Sequence, residues 1–211
     1  VAKGLTFRKK DKETIRFDEI VNEVGLPFFV KPANQGSSVG VSKVKNESDF
    51  AKAIEEAFQF DHKILIEENI EGREIEISVL GNDNPIASLP GEILPQGEFY
   101  SYESKYIDES GAILEIPAKL DEKDVERIKE TAIHAFQVLE CEGMARVDFF
   151  LQENGRLVLN EVNTIPGFTK ISMYPKLWEI SGISYSELID RLIQLALERA
   201  EADHALKNSI E

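Results

Sequence analysis

Four polar residues, Arg146, Asp148, Glu161 and Asn163, sit inside two apolar runs of the stretch ARVDFFLQENGRLVLNEVNTIPG. Asn154-Gly155 between alternating runs is a strong hairpin signal, and a two-residue type I′ loop predicts that Glu153 faces Arg156. That register puts Asp148 opposite Glu161 and Arg146 opposite Asn163, all on one face, because strand side chains repeat every second residue. Directly opposed side chains have Cβ atoms ~5 Å apart, where like charges destabilise the pair. A cation relieves that repulsion. Oxygen donors with no His or Cys nearby suit a hard ion, and Mg²⁺ takes one or two carboxylates while leaving other positions to water and phosphate oxygens. The competing arrangement is a solvated sheet face on which Asp148 pairs with Arg146 and Glu161 faces water.

A metal of that kind implies a phosphorylated substrate. The loop ANQGSSVG offers small residues, backbone N–H groups and two hydroxyls, which is how loops hold phosphate oxygens; a plain Gly/Ser turn gives the same pattern without a ligand. The Walker A spacing is missing. Lys31, inside the strand-like FFVKP, requires a partner among Phe and Val, either a phosphate or one of Glu67 and Glu68. Lys105 in ESKY is a second ammonium. Glu67, Glu68 and Glu74 suit a ribose or an adenine amino group, or are plain surface charge. His62, His134 and His204 form no nucleophile arrangement, and no G-x-S-x-G elbow occurs, so hydrolysis through a Ser or Cys nucleophile is not supported.

The elements that must position these groups are mixed. Residues 1–16 are polar and basic and read as a connector. FDEIVNEVG spaces Phe17, Ile20, Val21 and Val24 as a helix closed by Gly25, followed by the strands PFFVKP and VSKV. A helix begins near Ser48, read as its N-cap, with Phe50, Ala53, Ile54, Ala57 and Phe58 inward. KILIEENI and REIEISVLG alternate as strands. Residues 90–112 show little periodicity, and an aperiodic stretch of that length is a lid candidate. A helix starting near Asp121 turns Val125, Ile128, Ala132, Ala135, Phe136 and Leu139 inward. The hairpin and two terminal helices, near 174–180 and 185–200, complete an α+β pattern. We expect a small lobe over 17–70 and a larger lobe over 71–211.

With 211 residues, 42% of them hydrophobic, the chain can build one good core or two small lobes. Its net charge of -15 repels duplex nucleic acid over most of the surface. Cys141, the single cysteine, forms no internal disulfide, and no apolar run approaches the roughly 20 residues of a bilayer span. A cytoplasmic location fits, with neither membrane nor nucleic acid as partner. The first residue is Val1 rather than Met, the expectation for a piece of a longer protein.

Taken together and in order, VKPANQGSSVGVSKV, ILIEENIEGREIEISVLG, FYSYESKY, ARVDFFLQENGRLVLNEVNTIPGFT and ISMYP closely resemble the D-alanine-D-alanine ligases of the ATP-grasp superfamily. The resemblance runs from about Gly25 to the last helix. It implies ATP clamped between two α+β lobes with antiparallel sheets, an acyl phosphate made on one D-alanine, and attack by the amine of another. On this resemblance Lys31 and Lys105 are the phosphate lysines, and Lys3 contacts ATP. Glu67, Glu68 and Ile70 hold adenine, and Glu74 binds ribose. Asp148, Glu161 and Asn163 ligate magnesium, two ions being expected and Mn²⁺ an acceptable substitute. Arg146 and the Gly167 backbone stabilise the tetrahedral intermediate. Ser37 and Tyr106 link the glycine-rich loop to the lid, and Ser172 with Met173 receives the second D-alanine. Tyr106, where D-lactate-using relatives carry His, favours D-alanine. A homodimer is compatible with the resemblance. The family's further N-terminal domain is absent from these residues, which leaves an ATP-binding module inactive on its own, or another carboxylate-amine ligase such as a D-alanine-D-lactate type, as the alternatives.

Overall fold

The computed structural model describes residues 1–95 and 112–206; Lys105, Tyr106 and the interior of the aperiodic stretch lie outside them. The chain divides into two compact units, Val1–Gly72 with Leu94–Ile113 and Arg73–Ile93 with Leu114–Glu211.

The first unit contains β1 (Gly4–Arg8), α1 (Phe17–Val24), β2 (Phe28–Pro32), β3 (Ser42–Val44), α2 (Glu47–Phe60) and β4 (Lys63–Glu68). Its strands make an antiparallel sheet in the order β1-β4-β2-β3. One face, with Phe28, Val30, Ile64 and Ile66, is buried with Ile20 of α1 and Ala53, Ile54, Ala57 and Phe58 of α2. The residues read as a connector contain β1, because Leu5 and Phe7 alternate between polar neighbours and pack on that same core. The α2 cap is Asn46 rather than Ser48: its side chain accepts from the Asp49 N–H at 3.3 Å, and Ser48 Oγ donates to Asn46 Oδ1 at 2.5 Å.

The second unit contains β5 (Arg73–Gly81), β6 (Ile86–Ala87), α3 (Glu122–Val138), β9 (Gly143–Leu151), β10 (Leu157–Asn163), α4 (Met173–Ile180) and α5 (Tyr185–His204), with β7 (Gly91–Pro95) as far as Ile93 and β8 (Ala112–Glu115) from Leu114. The strand order is β10-β9-β5-β7-β8, with β6 beside β5. Ile75, Ile77 and Val79 of β5 and Val147, Phe149 and Leu151 of β9 share a core with Ile128, Ala132 and Phe136 of α3; each fully buried side chain of this size contributes about 1.5–3 kcal/mol. Asp121 caps α3 as expected, accepting from the Asp124 N–H at 2.7 Å. Leu139 is exposed instead of inward because α3 ends at Val138 and Leu139 is its C-cap.

On the other face Leu80 packs with Tyr174, Trp178, Ile183 and Leu188. Gly91 makes this cover possible, since a Cβ there would lie 2.9 Å from Leu177 Cδ2 and 3.1 Å from Met173 Sδ. Beyond the cover, the same face carries Glu74, Glu76, Arg146 and Asp148.

The hairpin differs from the two-residue loop that Asn154-Gly155 predicts. Gln152 N–H donates to the Arg156 carbonyl at 3.0 Å and Gly155 N–H to the Gln152 carbonyl at 2.9 Å, with Gly155 at φ +80°, which is a three-residue loop. This loop puts Leu157 opposite Leu151 and Leu159 opposite Phe149, on the buried face. The two-residue register would turn both leucines away from that core, so the packing of two large, partly buried side chains against it outweighs the turn preference. A β-bulge between Leu159 and Glu161 then inserts one extra residue, Asn160, and restores the anticipated pairs Asp148–Glu161 and Arg146–Asn163.

Two glycines separate conformational from steric cost. Gly155 has φ +80° with nothing within 4 Å of an added Cβ, whereas Gly40, at φ +70°, would place one 2.5 Å from Phe60 Cδ2 and 2.9 Å from Pro32 Cγ. Gly155→Ala is expected to cost about 1–2 kcal/mol in denaturant unfolding. Gly40→Ala adds an overpacking cost of roughly 1–3 kcal/mol to that; equal losses would contradict the assignment.

Candidate functional site

In the first unit Lys31 and Glu67 lie on the sheet face opposite the core, since their alternates Val30 and Ile66 are buried. The partner that Lys31 requires is Glu67, with Nζ to Oε2 at 2.5 Å and both side chains a quarter exposed. Lys3 extends the β1–β4 ladder: its N–H donates to Glu68 Oε1 at 2.8 Å and its carbonyl accepts from the Glu68 N–H at 2.9 Å. The Lys3 ammonium rests on Glu23 Oε1 at 3.1 Å and is half exposed. Ile70, partly buried, follows β4.

The small-residue loop between β2 and β3 turns through two successive left-handed serines, Ser37 at φ 55° and Ser38 at φ 60°. Its base is fastened to Asp61, a residue sequence reasoning missed, which stands where α2 hands over to β4. Asp61 Oδ2 accepts from Asn34 N–H and Nδ2, both at 2.8 Å, and Oδ1 from the Lys63 N–H at 3.0 Å. The Lys63 amide, then those of Asn34, hold the carboxyl below its ordinary range against the opposing effect of desolvation.

The second unit gathers Glu74, Arg146, Asp148, Glu161 and Asn163 on one sheet face, together with Glu76. Across β10, β9 and β5, Glu161, Asp148 and Glu76 stand in one row, and Asn163, Arg146 and Ser78 in the next. Arg146 Nε and Nη2 donate to Asp148 Oδ1 and Oδ2, each at 2.7 Å. The same guanidinium lies 3.1 Å from Glu76 Oε2 and 3.6 Å from Glu161 Oε1. Burial disfavours its charge, but Asp148, Glu76 and Glu161 outweigh that and raise its pKa. Asp148 is thus paired with Arg146, as in the competing arrangement, while Glu161 is half exposed rather than wholly in water. Among the described residues, three carboxylates converge on this guanidinium.

The donor chemistry of this face fits a hard cation. Two carboxylates and the amide of Asn163, whose Oδ1 accepts from the Ile165 N–H at 3.2 Å, offer oxygen donors on adjacent strands. Among the described residues no three His, Cys, Asp or Glu side chains close into a metal cluster. Glu76 was also missed in the sequence, although its signal is present: it lies two residues beyond Glu74 in an alternating strand and therefore on the same face.

Past β10, Gly167 is exposed, and a Cβ on it would sit 3.0 Å from Ser172 Oγ. Ser172 Oγ accepts from the Thr169 N–H at 3.1 Å and lies 2.9 Å from Thr169 Oγ1, closing the loop at the start of α4. The Met173 side chain is buried against Gly91, so what Met173 can offer a ligand is its backbone at the head of α4.

Residues 1–194 match the family model described as "D-ala D-ala ligase C-terminus". A curated D-alanine–D-alanine ligase of Oceanobacillus iheyensis is 64% identical over 209 residues, covering 99% of this chain and 57% of that protein. Among solved structures, the D-alanine-D-alanine ligase of Coxiella burnetii superposes with a TM-score of 0.84 at 41% identity, covering 97% of this chain and 54% of the other. The VanG D-Ala:D-Ser ligase of Enterococcus faecalis gives 0.83 at 38% identity, covering 92% and 56%. The α+β ATP-grasp fold expected from the sequence agrees with these likenesses. The chain spans about 57% of the length of the curated relative.

Two measurements probe these clusters. Arg146→Leu leaves buried Glu76 and Asp148 without their shared counter-charge, and urea unfolding at neutral pH should show a loss of roughly 3–5 kcal/mol; an unchanged midpoint would show that the charges are compensated elsewhere. For Asp61, whose folded pKa lies below the ordinary 3.8, the fastening of the loop is fully present above that value and is lost as pH falls through the depressed one. An NMR titration should therefore move the Asn34 amide with a midpoint under 3.8. A midpoint at the ordinary value or higher contradicts the hydrogen bonding described.

Proposed function

The chain belongs to the D-Ala-D-Ala ligase C-terminal family, and from that membership we propose that it is the nucleotide- and metal-binding portion of an ATP-dependent ligase joining two D-alanines. The observation that carries this reading is the set of oxygen donors Asp148, Glu161 and Asn163 on one sheet face beside the Arg146 guanidinium. Such a set favours a cation, and a cation held by oxygen donors favours phosphate.

Each residue then has a task. Asp148, Glu161 and Asn163 would hold Mg²⁺, two ions in all with Mn²⁺ as a substitute; bound there, the metal neutralises charge on the transferring phosphoryl group. Lys31 exchanges Glu67 for a phosphate oxygen, and Lys105 adds a second ammonium. Glu67, Glu68 and Ile70 receive the adenine, Glu74 the ribose, and Lys3 a further part of the nucleotide. The γ-phosphoryl group passes to the carboxylate of one D-alanine, giving an acyl phosphate and ADP. The neutral amine of a second D-alanine attacks the carbonyl carbon of that acyl phosphate, the carbon–oxygen bond to phosphate breaks, and the amine gives up a proton as phosphate leaves.

Arg146 and the Gly167 N–H stabilise the oxyanion of the tetrahedral intermediate. Ser172 and the Met173 backbone take the carboxylate of the second D-alanine. Ser37 with Tyr106 fastens the glycine-rich loop to the lid, which excludes water that would otherwise hydrolyse the acyl phosphate. Catalysis is by positioning and charge neutralisation, with no side-chain nucleophile. The dipeptide would serve peptidoglycan precursor synthesis in the cytoplasm, in a homodimer working on small molecules. Among the described residues no helix is long and apolar enough to cross a membrane.

A full-length version of the protein, given ATP, Mg²⁺ and D-alanine, is expected to release phosphate and D-alanyl-D-alanine; no phosphate release overturns the reading. D-Serine and D-lactate offered in place of the second D-alanine should give slower turnover, and faster turnover would assign the enzyme to another acceptor. Asp148→Asn should abolish the Mg²⁺-dependent part of ATP binding in titration calorimetry with the fold retained by circular dichroism.

A further inference from the structure

Arg146 stands between two demands that conflict. Both oxygens of Asp148 accept hydrogen bonds from it at 2.7 Å, yet the proposed function asks Asp148 and Glu161 to turn toward a cation and Arg146 to face an oxyanion. Each carboxylate that a cation takes over weakens the hold on the guanidinium. Among the described residues Glu76 is the remaining carboxylate in contact with Arg146, and it has no place among the proposed ligands. It is 7% exposed and reaches Nε at 3.1 Å, the same nitrogen that donates to Asp148 Oδ1.

Its support differs from that of Glu161. Glu76 lies on β5, an interior strand of the sheet, directly opposite Asp148, whereas Glu161 lies on β10 at the sheet edge and is half exposed. A buried carboxylate on an interior strand stays where the backbone puts it, and an exposed one on an edge strand follows a ligand at little cost.

We propose that Glu76 is a positioning residue for Arg146, holding the guanidinium while Mg²⁺ draws on Asp148 and Glu161, so that one arginine serves metal binding and acyl transfer in turn. This rests on the ligase reading above. Without the Glu76 charge, Arg146 commits itself to Asp148 and Glu161, and the row loses one negative charge. Both changes weaken the cation site, and the first also displaces the guanidinium from the oxyanion. Partners that orient ligands without touching the metal commonly cost 10–100-fold in affinity or activity when removed.

The test uses the full-length protein with Glu76→Gln, which keeps size and an acceptor oxygen, and Glu76→Asp, which keeps the charge. Nucleotide binding is titrated calorimetrically against Mg²⁺, alongside kcat, KM for D-alanine and the melting temperature without ligand. For Glu76→Gln we expect the Mg²⁺ concentration at half-saturation to rise by roughly tenfold or more. Its kcat should fall while KM for D-alanine holds. Glu76→Asp should recover most of the Mg²⁺ dependence. A lower melting temperature with Mg²⁺ dependence and kcat unchanged would make Glu76 a structural counter-charge and overturn the proposal. Loss of all metal binding in both variants would make it a ligand and overturn it equally. An unsubstituted protein that binds no Mg²⁺-nucleotide and makes no dipeptide refutes the ligase reading, and this inference with it; a working ligase indifferent to Glu76→Gln refutes the inference alone.

Discussion

One guanidinium held among three carboxylates is the constraint on which the second unit turns. Burying ions costs several kcal/mol each unless geometry and hydrogen bonding compensate, and the compensation here is the two-pronged contact of Arg146 with Asp148, with Glu76 alongside at 3.1 Å. The oxygen donors gathered around this guanidinium suit a site that receives a cation. The apolar side of the same strands, from Ile75 to Val79 and from Val147 to Leu151, supplies the burial that lets the polar side be expensive.

The two faces are not independent. Because strand side chains alternate, whatever fixes the apolar set also fixes the charged one. Leu80 and its partners Tyr174 and Trp178 cover one end of the polar face, and Ser78 Oγ donates to the Tyr174 carbonyl at 3.2 Å while the Tyr174 hydroxyl donates to the Val79 carbonyl at 3.0 Å. The charged row begins where that cover stops. In the first unit the core face likewise leaves Lys31 and Glu67 on the opposite side, with the loop between β2 and β3 tied to Asp61.

Much of this was legible in the chain. A charge among Phe and Val marked Lys31 as needing a partner, and Glu67, one of those anticipated, is that partner; amphipathic spacing located α1, α2 and α3 to within a residue or two. The facing pairs Asp148–Glu161 and Arg146–Asn163 came out right, but for an incomplete reason: the Asn-Gly signal suggested a short loop, and tertiary packing of Leu157 and Leu159 overrode it. A trace of this was visible in the spacing of Leu157, Leu159 and Val162, two residues and then three. Glu76 and Asp61 were harder, because their importance comes from partners distant in sequence, Arg146 and Asn34. In β1, two apolar residues among basic ones were too short a pattern to outweigh composition.

The bulge at Asn160 divides β10 into two halves that keep separate registers, the half beside the turn answering to the leucines and the half beyond it to the charged row. Removing that one residue would leave both sets of pairs as they are, since Leu159 and Glu161 already face consecutive residues of β9. The row is thereby insulated from its own turn. The half beside the turn follows the leucines while the carboxylates stay in line: the two halves of the strand are separated by a single spare residue.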